Sequence, residues 1–202
     1  MAVRGMSRVL VAATFAGGLV LAGSAAASAH GHGPPSGGAA SGSVSCAVNA
    51  VLDFSPALQS GATGKTDVSL HMQLTRCTAA GLHHRTTGHA SADLGSIANG
   101  SCTLPSSAPG FSGLSIRWTP APHVPASSVS SSGGTLSTLS DGRGQAKYSD
   151  LAVTGSFATT SSTLGSATLT TKGTVAALTA ACNDTSASGG VSSIAIGGSA
   201  TL

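Results

Sequence analysis

Glutamate is missing altogether from the 202 residues, and charged side chains make up only 7% of them. A glycosidase works with two carboxylates facing each other across a sugar. Here only six aspartates are available, and the strand alternation puts two of them, Asp53 and Asp67, on outward faces. Aromatics are equally scarce, at 3%. A module that stacks sugars on rings would have to draw on Trp118, Tyr148, Phe54, Phe111 and Phe157. No CxxC pair marks a zinc or redox site. No GxSxG elbow occurs, since Gly110-Phe111-Ser112-Gly113 has its glycines in the wrong order. Serine is so common that a Ser/His/Asp trio can be assembled from almost any part of the chain and carries little information. No basic run argues for nucleic acid. The composition weighs against an enzyme. A hydrolase remains as an alternative, and it would need a concave pocket holding a Ser or Asp within reach of a histidine.

What is present begins with an export signal. Arg4 and Arg8 form a positive start, Val9 to Ala22 an apolar stretch, and Ala27-Ser28-Ala29 the small residues a signal peptidase needs. Residues 1–29 therefore read as a signal peptide, with His30 as the mature N-terminus. The apolar stretch is too short and too rich in Gly and Ala for a comfortable span, and no later segment is long and apolar enough for one. Two of the nine basic residues fall within the signal, so the rest of the chain carries seven against six Asp. The expected location is extracellular, with an unidentified extracellular or cell-surface partner.

Residues 30–43 form a Gly/Pro/Ser/His leader without apolar periodicity, expected to be disordered or extended. Residues 44–202 are expected to form a single all-β domain. Cys46, Val48, Ala50, Leu52 and Phe54 alternate with Ala47, Asn49, Val51 and Asp53 until Ser55-Pro56, which is expected to end the strand. Val68, Leu70, Met72 and Leu74 alternate with Asp67, Ser69, His71, Gln73 and Thr75. A polar strand is expected from Leu82 to Ala92, then a turn at Asn99-Gly100. Leu114, Ile116 and Trp118 oppose Ser115, Arg117 and Thr119, and the lone tryptophan is expected to anchor the core. Pro120 to Pro125 reads as a polyproline-like loop. Further strands are expected at Gly134–Ser140, Lys147–Ala158, Leu164–Thr170, Thr174–Ala181 and Val191–Leu202, with a turn at Asp141-Gly142. Only the signal shows helical spacing. The sum is an antiparallel β-sandwich or barrel of about 8–10 strands.

Four cysteines in an exported chain read as two disulfides. Cys46, Cys77, Cys102 and Cys182 allow three connectivities, and the sequence leaves all three open. The expected set is Cys77–Cys102, clipping a local loop, with Cys46–Cys182, tying the first strand to the last. Chain entropy would give these loops about 3.5 and about 5 kcal/mol, as upper estimates.

The order of Cys46 with Asn49, Arg76-Cys77-Thr78, Gly100-Ser101-Cys102, the alternating strand ending at Trp118, and Cys182-Asn183 before a Gly-rich terminal strand resembles a family of small secreted actinobacterial four-cysteine β-proteins of uncharacterised function. The resemblance implies export, β structure and two disulfides, and it brings no catalytic residues. The histidine-bearing stretch from His83 to His89 is not part of it.

Two histidine sets could hold a metal, and no other cofactor is implied. With His30 at the mature N-terminus, the α-amine, two amides and the His32 imidazole make a square-planar nitrogen set suited to Cu(II) or Ni(II). At this one position the chain is similar to lytic polysaccharide monooxygenases and periplasmic copper carriers; elsewhere it departs from both. His71, His83 and His89 fall on one face if their strands pair, a possible zinc set or simply a polar outer face. Asn99-Gly100-Ser101 and Asn183-Asp184-Thr185 match the glycosylation pattern, yet each abuts a cysteine and reads as a turn.

Overall fold

The computed structural model describes residues 40–79, 86–100, 102, 107–119, 124–160, 162–186 and 189–202. The signal peptide, most of the leader with His30 and His32, His83, and Pro120 to His123 of the proline loop lie outside the described residues. The described residues form eight strands, β1 (Val44–Leu58), β2 (Lys65–Ala79), β3 (Thr86–Ala98), β4 (Ser107–Thr119), β5 (Ser127–Thr138), β6 (Arg143–Gly155), β7 (Gly165–Thr174) and β8 (Val191–Thr201). Each pairs antiparallel with the next, and β8 returns to β1, closing an up-and-down barrel. Among the described residues no helix is long and apolar enough to cross a membrane.

Strict alternation builds the wall. On β1, Val44, Cys46, Val48 and Ala50 are buried while Ser45 and Asn49 are exposed. Val68 and Leu74 of β2 and Leu114, Ile116 and Trp118 of β4 are buried in the same way. A barrel of eight strands has an interior that side chains alone can fill. Here Trp118 and Phe157 occupy it edge to face, with ring centroids 4.9 Å apart. The indole Nε1 donates to Ser127 Oγ at 2.8 Å, and Ser127 Oγ in turn donates to the Ser156 carbonyl. Trp118 is therefore a core anchor whose one polar atom is satisfied, as a buried indole requires. Ala40, within the predicted leader, is half-buried, and its carbonyl accepts from the Phe157 amide at 2.7 Å.

The cysteine pairing differs from the expected one: the bonds are Cys46–Cys77 and Cys102–Cys182. Two physical causes explain the correction. Between Leu74 and Cys77, β2 carries one residue more than either neighbour, and Arg76 sits at φ 53. This bulge reverses the alternation. Without it Cys77 would point outward; with it the side chain turns inward, beside Cys46. Secondly, β1 and β8 run antiparallel, so the chain just before β8 lies by Leu58, which pairs with Val191. Twelve residues of strand, roughly 40 Å at full extension, separate that point from Cys46, whose partner on β8 is Ala200. Cys182 is out of its reach.

Several elements also differ from expectation: β5 begins at Ser127 rather than Gly134 and β6 at Arg143 rather than Lys147, and three further differences have a visible cause. The expected strand at Thr174–Ala181 is instead a helix, α1 (Val175–Asn183). Thr174 caps it by accepting from Ala177 N, and alanine supplies the strongest helix propensity. Val175 and Leu178 are half-buried and Cys182 fully so, at i, i+3 and i+7. Strand β1 continues through Ser55-Pro56, a cis peptide, to Leu58. Pro56 falls where the ladder to β8 is interrupted, between Asp53 and Leu58, so its missing N–H removes no ladder bond. Strand β3 runs on past Ala92 to Ala98 because Leu94-Gly95 forms a bulge against Val68, with Gly95 at φ 83 and its amide bound to Asp93 Oδ1.

Core packing falls into two clusters. The larger holds Val44, Leu74, Ile116, Trp118, Val153, Phe157 and Leu202. The smaller holds Phe54, Val68, Val191 and Cys182, with Leu178 of α1 and Cys102 packed on it. The second disulfide therefore ties the β3–β4 connection to the helix. Among the described residues the shortest ladder in the wall is that between β3 and β4, paired from Thr87–Thr119 to Ala90–Ile116.

Candidate functional site

The strand register places a line of polar side chains across the outside of the barrel. Gly197 of β8 pairs with Asn49 of β1, Asn49 with Gln73 of β2, Gln73 with His89 of β3, and His89 with Arg117 of β4. Because the side-chain period of a strand is two and cross-strand partners share a face, all these groups point outward together. Asn49, Gln73, His89 and Arg117 are exposed. Lys172, at the end of β7, extends the line. Its Cε would lie 3.8 Å from a Cβ at Gly197, so the absence of a side chain there leaves room for the lysine stem.

A second line runs beside the first: Ala195 pairs with Val51, Val51 with His71, and His71 with Ser91. Together with Ser115 these residues line a shallow, open groove on the outer face. Two fixed cations, two imidazoles and two side-chain amides face it, and no carboxylate is among the described residues that line it. Beside it, Asp53 Oδ2 lies 3.9 Å from His71 Nε2. Neither Arg117 nor Lys172 forms an ion pair among the described residues.

His71 and His89 are thus brought onto one face as diagonal neighbours on β2 and β3, as the alternation implies. Among the described residues no group of three or more His, Cys, Asp or Glu side chains could hold a metal ion. The other members of both histidine sets lie outside the described residues. Asp53 and Asp67 are on the outer wall; Asp67 accepts from Ser96 Oγ at 2.7 Å.

Asn49, Gln73, Arg117 and Lys172 are the site residues that the sequence did not single out. Alternation alone gave their outward direction on β1, β2 and β4. Their alignment depends on register, which the bulge between Leu74 and Cys77 shifts for β2 and β3. Asn99, the first residue of a glycosylation-like triplet, is a turn scaffold: its Oδ1 accepts from the Gln59 and Gly100 amides, and its Nδ2 donates to the Ala57 carbonyl.

A carboxylate with shifted titration lies away from this groove. Ser131 and Ser132 donate their hydroxyls to Asp150, and the Ser132 amide adds a third bond, lowering the Asp150 pKa below the usual carboxylate value. This arrangement spans the irregular stretch of β5 where pairing with β6 lapses between Ser130 and Thr135. These bonds bridge β5 and β6 across that gap. No protein-family model, no curated protein and no solved structure matches the chain.

Proposed function

We propose that the protein is an exported, non-catalytic interaction module that presents one rigid outer sheet face to an extracellular partner. The observation that carries this reading is the registered line Asn49–Gln73–His89–Arg117, four exposed polar side chains held by four neighbouring strands of a closed wall. Such a line is pre-organised: its strands are fixed by ladder bonds, so binding orders only side-chain tips. Two disulfides fit an oxidising compartment, and the N-terminal charge and apolar pattern supports export.

Expression of the full chain in a secreting host tests the reading. The medium is expected to contain protein beginning at His30, with an intact mass four hydrogens below that of the reduced form. Retention inside the cell as a full-length chain with four free thiols would overturn it.

A further inference from the structure

We infer that the groove across β8, β1, β2, β3 and β4 binds an acidic polysaccharide, a chain of uronate sugars laid perpendicular to the strands. The inference rests on the extracellular interaction reading and specifies its partner. Neighbouring strands are about 4.8 Å apart, so the path from Gly197 to Arg117 runs about 19 Å along the curved wall of the barrel in four steps. A pyranose ring is comparable in length with one step. A linear glycan crossing the strands would therefore meet a new side chain at each sugar.

The chemistry along the line suits that occupant. Arg117 stands at one end and Lys172 at the other, both without an acidic partner among the described residues. Arg117 offers the planar fork that grips a carboxylate through two parallel bonds. Between the two cations, Asn49 and Gln73 each offer a donor and an acceptor, the pairing that sugar hydroxyls require. The Ser91 and Ser115 hydroxyls at the groove edge add further partners.

A denser polyanion fits less well. Double-stranded DNA carries about one charge per 1.7 Å, whereas this line provides two fixed cations in about 19 Å. Single-stranded nucleic acid is read chiefly by stacking on large aromatic rings, and no Phe, Tyr or Trp is among the described residues that line the groove. For the same reason the site differs from sugar modules that stack rings, and it relies on charge and hydrogen bonds.

Isothermal titration tests the assignment, with a galacturonate hexamer, its methyl-esterified form and inorganic polyphosphate of similar length as probes at low salt. The galacturonate hexamer is expected to bind, and the ester at least ten-fold more weakly. A double Arg117→Ala, Lys172→Ala variant is expected to lose at least ten-fold in affinity. The Asn49→Ala, Gln73→Ala pair is expected to lose several-fold. A Lys65→Ala, Lys147→Ala control, which removes the same charge elsewhere, is expected to bind as the wild type does. All these positions are exposed, so thermal midpoints should hold and report that each variant is folded. Three results would each overturn the inference: no binding of galacturonate, equal loss in the control, or polyphosphate binding at least as tightly. Any of them, found with protein that is secreted and disulfide-bonded, leaves the interaction reading in place; only the secretion test reaches that.

Discussion

Trp118 shows how much one side chain carries in a chain so poor in large ones. Its burial in the barrel is almost complete, at 2% exposure. Trp118→Ala is expected to cost about 3–5 kcal/mol, read as a lower urea midpoint. Trp118→Phe keeps a ring against Phe157 but removes the donor to Ser127 Oγ, and about 1–2 kcal/mol is expected. Asp150 gives a pH signature. Its folded pKa is lowered by three hydrogen bonds from Ser131 and Ser132, so its contribution is present above the unfolded value near 3.8. That contribution disappears as pH falls through the lower folded value. Asp150→Asn should therefore melt below the wild type at pH 7, and the gap should narrow between pH 4 and pH 2. A gap that stays constant over that range would contradict the assignment.

Among the elements, the disulfides separate into two non-overlapping loops, closed across 31 and 80 residues. Chain entropy assigns them about 3.7 and about 4.5 kcal/mol, as upper estimates. Peptide mapping without reduction is expected to recover Cys46 with Cys77 and Cys102 with Cys182. Removing both bonds as Cys→Ala pairs should destabilise the fold roughly additively, because the loops share no residues. The strands were legible wherever alternation ran unbroken, as from Thr66 to Leu74. Legibility ended at Arg76, where one inserted residue reverses every later side chain on β2 and no local signal announces it. Helix α1 escaped for another reason. Val175, Leu178 and Cys182 are too small a set, among alanines and without charges, to mark a helical face in sequence. Thr174 as its cap was the available signal, and Thr174→Ala is expected to cost about 1 kcal/mol. The groove was half legible: direction followed from alternation, and alignment followed only from register.

On the scale of the whole molecule, closure is uneven. Among the described residues the β3–β4 seam has four paired positions, while β1 is laddered to β2 from Val44–Ala79 to Ser55–Asp67. Native-state hydrogen exchange should find the β3 amides that face β4 beyond Ala90 among the fastest in the wall, and those shared by β1 and β2 among the slowest. The opposite ranking would mean that the barrel opens elsewhere. At the other side of the circle, Val44 and Leu202 each donate an amide to the other's carbonyl at 2.8 Å. First and last strand are thus already neighbours, and the order of the gene is not imposed by the shape. A rearranged chain that links Leu202 to Val44 through a short Gly/Ser bridge, and begins instead in the β3–β4 connection, would trace the same ring from a different starting point.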